Sequence, residues 1–363
     1  MQQTTYPLTS AQMGMYYEWQ KDKELTQYNN PFLYRFPDQI DAERLKAAFV
    51  KVIEAHPFLK LKLKILGNGE VVQYFVPQDP VNIPVIETIE EGLRERVLSG
   101  IRPFDLLLGE PLYRIHIYKT PSRVFAFLDI HHIVYDGSSS IVFHRDLVKA
   151  YNGESLTEET FTCAHFALLE AERMRGEEFK RDEAYFREKL SGNTPAKLPI
   201  LNRSEEAAGT LDKVSKYIDY KQVSDYCKRL EISPNNLFAG ALGICLNHYT
   251  REDKLCFCTV HNGRIDERVR DSVGMFVKTL PVVVVPAPRQ NLGDFLQGIR
   301  SDMKELWTHQ TYPFSLMVTN YGISMDLTYT FQKGILEYFE MPQGHVRMEY
   351  IHVGSTHDKL SIY

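Results

Sequence analysis

The stretch FAFLDIHHIVYDGSSSIVFHRDL, Phe125–Leu147, decides how this chain is read. Phe125 and Phe127 fall on one face and Leu128 and Ile130 on the other, the pattern of a buried strand. Ser138 to Ser140 then offer N-caps for a helix that follows. Between strand and helix stand two adjacent histidines, an aspartate and a glycine. Polar groups at such a junction are either satisfied by the fold or used by it.

Adjacent residues on a strand point to opposite faces, so at most one of His131 and His132 enters a given site. That geometry counts against joint metal ligation, which needs converging ligands, and no metal site is expected. One histidine is then structural while the other faces a cavity. Asp136 is placed to orient His132 or to pair with a distant arginine. Gly137 is read as a position whose backbone conformation is closed to other residues. The N–H groups at the start of the helix suit developing negative charge. Taken alone, H-H-x-x-x-D-G leaves chemistry and ordinary core packing both open.

The 363 residues exceed one ordinary core and favour two domains. Hydrophobic content of 44% and charged content of 25% are those of a soluble globular protein. A net charge of −5, with no Lys/Arg cluster, argues against a nucleic-acid surface. The five cysteines (163, 227, 245, 256 and 258) form no C-x-x-C pair, so neither a disulfide framework nor a zinc site is expected. Cys256 and Cys258 share one strand face, which suggests packing. The N-terminus lacks a basic region followed by an apolar one. The apolar run LFAGALGICL is too short to cross a bilayer and reads as a core helix capped by Ser233. A cytoplasmic protein without membrane contact is the expectation.

Strands and helices mix along both halves, which points to an α/β fold with two similar lobes. An amphipathic helix is expected in DAERLKAAFVKVIEA with Asp41 as its N-cap, and a hairpin turning at Gly67-Asn68-Gly69. One long helix is expected from Cys163 to Leu190, with Gly176 its weak point. SGNTPAKLPILNRSEEAAG follows with linker composition, and VSKYIDY reads as a strand. The boundary is placed at the long helix, giving lobes 1–170 and 171–363.

HHIVYDG resembles the signature of the condensation domains of nonribosomal peptide synthetases, within the chloramphenicol acetyltransferase-like superfamily. YPLTSAQMGMYYEW is similar to the family's opening motif, and EAHPFLKLKL to a second one, with His56 and Leu59 retained. VGMFVKTLPV (Val273–Val282) and HQTYPFS (His309–Ser315) resemble two later motifs, in the family's order. Thr311 stands where the family has aspartate, and Cys163 and His165 replace its Tyr-x-Asp. The chain stops at HDKLSIY, where family members continue through another strand and a final helix, so the second lobe is expected to be cut short.

The resemblance implies two acetyltransferase-like lobes with mixed sheets, in a V-shaped pseudo-dimer with a central tunnel. It implies no directly bound cofactor. Donor and acceptor carrier proteins, beside adjacent synthetase domains, would deliver substrates on phosphopantetheine arms. His132 would act at the centre where an amine attacks a thioester and an amide forms. Gly137 would admit substrate or supply an N–H. Asp136 would be structural and paired with Arg264, beside a structural His131. Ser138 could touch the thioester oxygen or serve as an N-cap, and His309 could line the site. Three alternatives stay open: a free-standing acyltransferase using coenzyme A, an epimerisation domain, and a catalytically degenerate docking platform for carriers and other proteins.

Overall fold

The computed structural model describes residues 4–192, 214–286, 290–332, 337–351 and 360–362. From the N-terminus the elements run β1 (Tyr6–Pro7), α1 (Ser10–Lys21), β2 (Asn29–Arg35), α2 (Ala42–Ala55), β3 (Leu61–Ile65) and β4 (Val71–Phe75). They continue with β5 (Val85–Glu87), α3 (Leu93–Ser99), β6 (Tyr113–Lys119), β7 (Val124–His131), α4 (Gly137–Tyr151) and α5 (Cys163–Arg173). Asp41 caps α2 by accepting the Arg44 N–H at 2.7 Å, and Leu45, Phe49, Val52 and Ile53 bury its apolar stripe. The hairpin β3–β4 forms about the expected turn.

Every residue of β7 is buried, because the strand pairs antiparallel with both β2 and β6 and is covered on both faces. Phe125 and Phe127 pack with Leu93 and Val97 of α3. Ala126, Leu128 and Ile130 join the larger core built with α2 and α4. The phenylalanine, leucine and isoleucine side chains each contribute about 1.5–3 kcal/mol on full burial. The strand is therefore a rigid support for whatever follows His131.

The next elements are α6 (Glu177–Leu190), α7 (Tyr220–Arg229), α8 (Pro234–Thr250), β8 (Leu255–His261), β9 (Lys278–Val284) and α9 (Leu292–Thr308). The last are α10 (Phe314–Tyr321), β10 (Leu327–Tyr329), β11 (Tyr338–Met341), β12 (Gly344–Tyr350) and β13 (Leu360–Ile362). Among the described residues the strands form three sheets, ordered β11-β12-β2-β7-β6-β5, β13-β10-β8-β9 and β1-β4-β3. The first is antiparallel except for β5 with β6; in the second, β10 runs parallel to β8 and β13. The fold is thus mixed α/β, as its alternating pattern suggests. Ser233 caps α8 as expected. Gly243 lets that helix approach its sheet, since a Cβ there would lie 2.5 Å from Val284.

The chain divides into two compact units, and neither is contiguous. The first takes its described residues from Met1–Glu172, Arg264–Val277 and Lys333–Ser355; the second takes the others. The division expected at 170/171 leaves out two returns: the segment Arg264–Val277, and β11–β12, which add to the edge of β2. Each unit has its own apolar core.

Two local expectations are corrected. The single helix from Cys163 to Leu190 is two helices, α5 and α6, because Gly176 takes an extended conformation and becomes the N-cap of α6. No strand forms at VSKYIDY. Val214 and Tyr217 are 94% and 98% exposed, Asp219 caps α7, and Tyr220 opens that helix. Alternation makes a strand only where a neighbour supplies the ladder. Most of the expected linker, from residue 193 onward, lies outside the described residues.

Candidate active site

β7 delivers the motif already anchored. At its last residue the His131 N–H donates to the Leu112 carbonyl at 2.9 Å, and Nδ1 accepts the Ile133 N–H at 3.1 Å. The ring lies edge-on to Phe104 and is buried, which pushes its pKa down to about 3. A neutral ring is what the acceptor role of Nδ1 requires. Two residues earlier Asp129 meets Arg114 at 3.0 Å and Asn29 at 2.9 Å, and burial pushes its carboxyl up to about 6. Arg114 also donates to the carbonyls of Arg102 and Pro103 and covers the Phe104 ring. The wall beside His131 is fixed by that group.

At His132 the strand gives way to a single 3-10 turn, His132–Val134, and the His132 N–H donates to the Tyr28 carbonyl at 2.7 Å. Nδ1 is buried without a well-formed hydrogen bond, although the residue as a whole is partly exposed. Burial lowers the pKa from the ordinary imidazole value, offset in part by its own carbonyl and by the Asp136 charge. The imidazole is therefore neutral at neutral pH and able to accept a proton.

Asp136 is the N-cap of α4, closing a capping box with Ser139. This corrects the expectation that Ser138, Ser139 or Ser140 caps the helix: those serines occupy its first turn. The Asp136 carboxylate is fully buried. Oδ1 accepts from the Ser139 N–H (2.8 Å) and from Arg264 Nη2 (2.9 Å), and Oδ2 from Arg264 Nη1 (2.8 Å) and the Phe276 N–H (3.1 Å). Arg264 further donates to the Ser272 carbonyl and lies over the Phe276 ring. With its acceptor positions filled this way, Asp136 holds the turn and makes no hydrogen bond to His132.

Gly137 is the first residue of α4 with helical backbone, so the expectation of a conformation closed to other residues is not met. Ser138 is partly buried in the first turn. Sequence reasoning offered Ser139 only as a cap and missed the role of its hydroxyl, which accepts the Gly274 N–H at 3.0 Å and lies 2.9 Å from both Asp136 Oδ1 and the Gly274 carbonyl. It also missed why residue 274 is glycine. A Cβ on Gly274 would sit 2.6 Å from the Cys163 Cβ, and the thiol reaches the Met275 carbonyl.

His309 belongs to the second unit, where Nδ1 is 2.8 Å from Asp182 and the ring stacks on Tyr185 at 4.0 Å. Thr311 donates its hydroxyl to the same buried Asp182. An aspartate at 311 would place a second negative charge there, so the threonine suits its partner. Among the described residues no group of three or more His, Cys, Asp or Glu side chains is placed to hold a metal ion. Nor, among them, is any helix long and apolar enough to cross a membrane.

The family model "Condensation domain" matches residues 2–336. The chain belongs to this family. Among curated relatives, this condensation domain is 27% identical over 334 residues to surfactin synthase subunit 2 of Bacillus subtilis (strain 168), covering 90% of this chain and 9% of that protein. It is likewise 27% identical to tyrocidine synthase 2 of Brevibacillus parabrevis over 333 residues, 89% of this chain and 9% of the relative. The chain thus spans about a tenth of the length of these relatives. Among solved structures, the first condensation domain of the CDA synthetase superposes with a TM-score of 0.80 at 18% identity, over 98% of this chain and 88% of that one. The X-domain from teicoplanin biosynthesis gives 0.81 at 18%, over 98% and 84%. At these identities the likeness shows a shared fold.

Proposed function

We propose that this condensation domain joins a carrier-tethered acyl or peptidyl thioester to a carrier-tethered amine, with His132 at the reacting centre. The observation that carries the reading is the placement of His132, a partly exposed residue on a turn locked by the buried Asp136–Arg264 pair; burial of the ring lowers its pKa, which favours the neutral imidazole. The amine nitrogen attacks the thioester carbonyl carbon, the C–N bond forms and the C–S bond breaks. The proton shed by the nitrogen passes through His132 to the departing thiolate.

An α-amino group has a pKa of about 8, so a fair fraction is neutral without help. Positioning the amine and taking the proton that becomes acidic as the C–N bond forms are the larger demands. A lowered pKa keeps His132 unprotonated at neutral pH and makes it ready to release the proton again. The start of α4 at Gly137 and Ser138 is suited to the oxyanion that develops on the carbonyl. Two carrier proteins with phosphopantetheine arms are the partners this chemistry requires. The five cysteines, none of them in a disulfide, fit a reducing, cytoplasmic setting.

The test is reconstitution with loaded donor and acceptor carriers, followed by mass spectrometry of the carrier-bound product. Amide on the acceptor carrier is the expected result, with single-turnover rates falling about 10²-fold or less in His132→Ala. Raising the pH recovers part of that loss, because more of the amine is then neutral unaided. Turnover of acyl-coenzyme A without carriers, or a His132→Ala rate equal to wild type at every pH, overturns the reading.

A further inference from the structure

His56 closes α2 as its C-cap, and its ring is buried between two carboxylates of the same unit. Nε2 lies 3.0 Å from Asp146 Oδ2, on α4, and Nδ1 lies 2.9 Å from Glu159 Oε2. A neutral imidazole can donate through one nitrogen only, so two carboxylate partners select the doubly protonated cation. Glu159 Oε2 also accepts the Val273 N–H at 3.1 Å. Val273 begins the run whose next residues hold the catalytic turn: Gly274 bonds Ser139, and the Phe276 N–H bonds Asp136. Hydrogen bonds at either end of the backbone segment 273–276 thus link His56, through Glu159, to the cap of α4.

The other charges around His56 do not replace it. Arg145 and Lys149, on α4, both face Asp146, and Arg145 also meets Asp271 at 2.5 Å. Arg268 is turned to Asp266, and Glu158 lines the adjoining cavity of about 590 Å³. Among the described residues, His56 is the basic side chain seen paired with Glu159. The carboxylate hydrogen bonds outweigh the effect of burial and raise the His56 pKa above its ordinary value.

We propose that His56 is a positioning residue for the His132 centre: as an imidazolium it fixes Glu159, which seats Val273 and so sets Gly274 and Phe276 against Ser139 and Asp136. The inference rests on the amide-forming reading and deepens it. His56 touches no substrate, and its influence ends when it loses its proton.

The test compares wild type with His56→Gln and Glu159→Gln in two measurements. Single-turnover amide formation with loaded carriers should be several-fold slower in His56→Gln near pH 7. The wild-type to His56→Gln ratio should converge toward one as pH rises through the raised His56 pKa, which a purely structural role would not produce. Glu159→Gln breaks the same link from its other end, so its rate should show the same several-fold deficit against wild type near pH 7 and the same convergence as pH rises, which covers the case in which His56→Gln fails to fold. Amide hydrogen exchange should show loss of protection at Val273, Gly274 and Phe276 in both variants, while β8 keeps its own. Unchanged exchange at those amides, or a rate ratio independent of pH, overturns the proposal. Wild type that makes no amide at all overturns the reading beneath it, a failure visible before any variant is compared.

Discussion

Two buried ionic centres of the first unit are built alike and differ in one property. At the first, Arg264 is drawn from the returning segment onto Asp136; at the second, Glu159 ties the same segment to His56 and Asp146. Both pair a carboxylate with a cation far from it in sequence, and both end on α4. An arginine keeps its charge at any working pH, whereas a histidine can lose it. The turn that carries His132 is thus secured once permanently and once conditionally.

The comparison breaks most directly at its permanent end. Asp136→Ala leaves Arg264 buried without its counter-charge and should cost about 3–5 kcal/mol. Thermal denaturation of the first unit should show a large drop; an unchanged melting temperature with lost activity would make Asp136 a participant in the chemistry. Gly274→Ala should cost about 1–3 kcal/mol by overpacking, since the new methyl meets Cys163 and Phe276 at 2.6 and 2.8 Å. Full wild-type stability would mean the segment shifts freely, against the tight placement seen here.

The conditional end has a pH signature with a definite sign. His56 is raised in the folded state, so its contribution is complete below its unfolded pKa of about 6.5 and is lost as pH rises through the folded value. Asp146 is held down to about 2 by hydrogen bonds to His56 and Arg145 that outweigh its burial. Its contribution is present above the unfolded value of about 3.9 and disappears as pH falls toward 2. Chemical denaturation across pH should give stability declining on both sides. In His56→Gln the alkaline decline should vanish, and its persistence would assign the titration to another group. The smallest effect belongs to an exposed pair of the same chemistry. Lys221→Ala removes the i,i+4 contact with Asp225 on α7 and should change stability by no more than about 0.5 kcal/mol. A larger loss would mean that burial is not what separates the two classes.

How much of this was legible in the sequence follows from the range of the signals. A short run apolar on both faces located β7, and Asp41 located the start of α2, because both are local patterns. The Asp136–Arg264 pairing came from the family resemblance that HHIVYDG carries, not from spacing, since 128 residues separate the partners. The cap of α4 was misplaced because three serines outnumber one aspartate in composition, while geometry favours the residue already held by arginine. The carboxylates on His56 left no local trace: Asp146 and Glu159 read as ordinary helix and loop charges until α2 and α4 are packed together. Nor does periodicity reveal that a chain leaves a unit and returns to it.

That return bears on how the protein is made. β12 registers Arg347 against Arg35 of β2, closing the six-stranded sheet across more than 300 residues. At translation rates of 5–20 residues per second the interval between the two strands leaving the ribosome is on the order of tens of seconds. Throughout it, the flank of β2 opposite β7 presents open backbone donors and acceptors that can template misassembly with a neighbouring nascent chain. The late strand is therefore a stopper as well as a structural element, and a chaperone that shields β2 until residue 350 has emerged would cover that open edge.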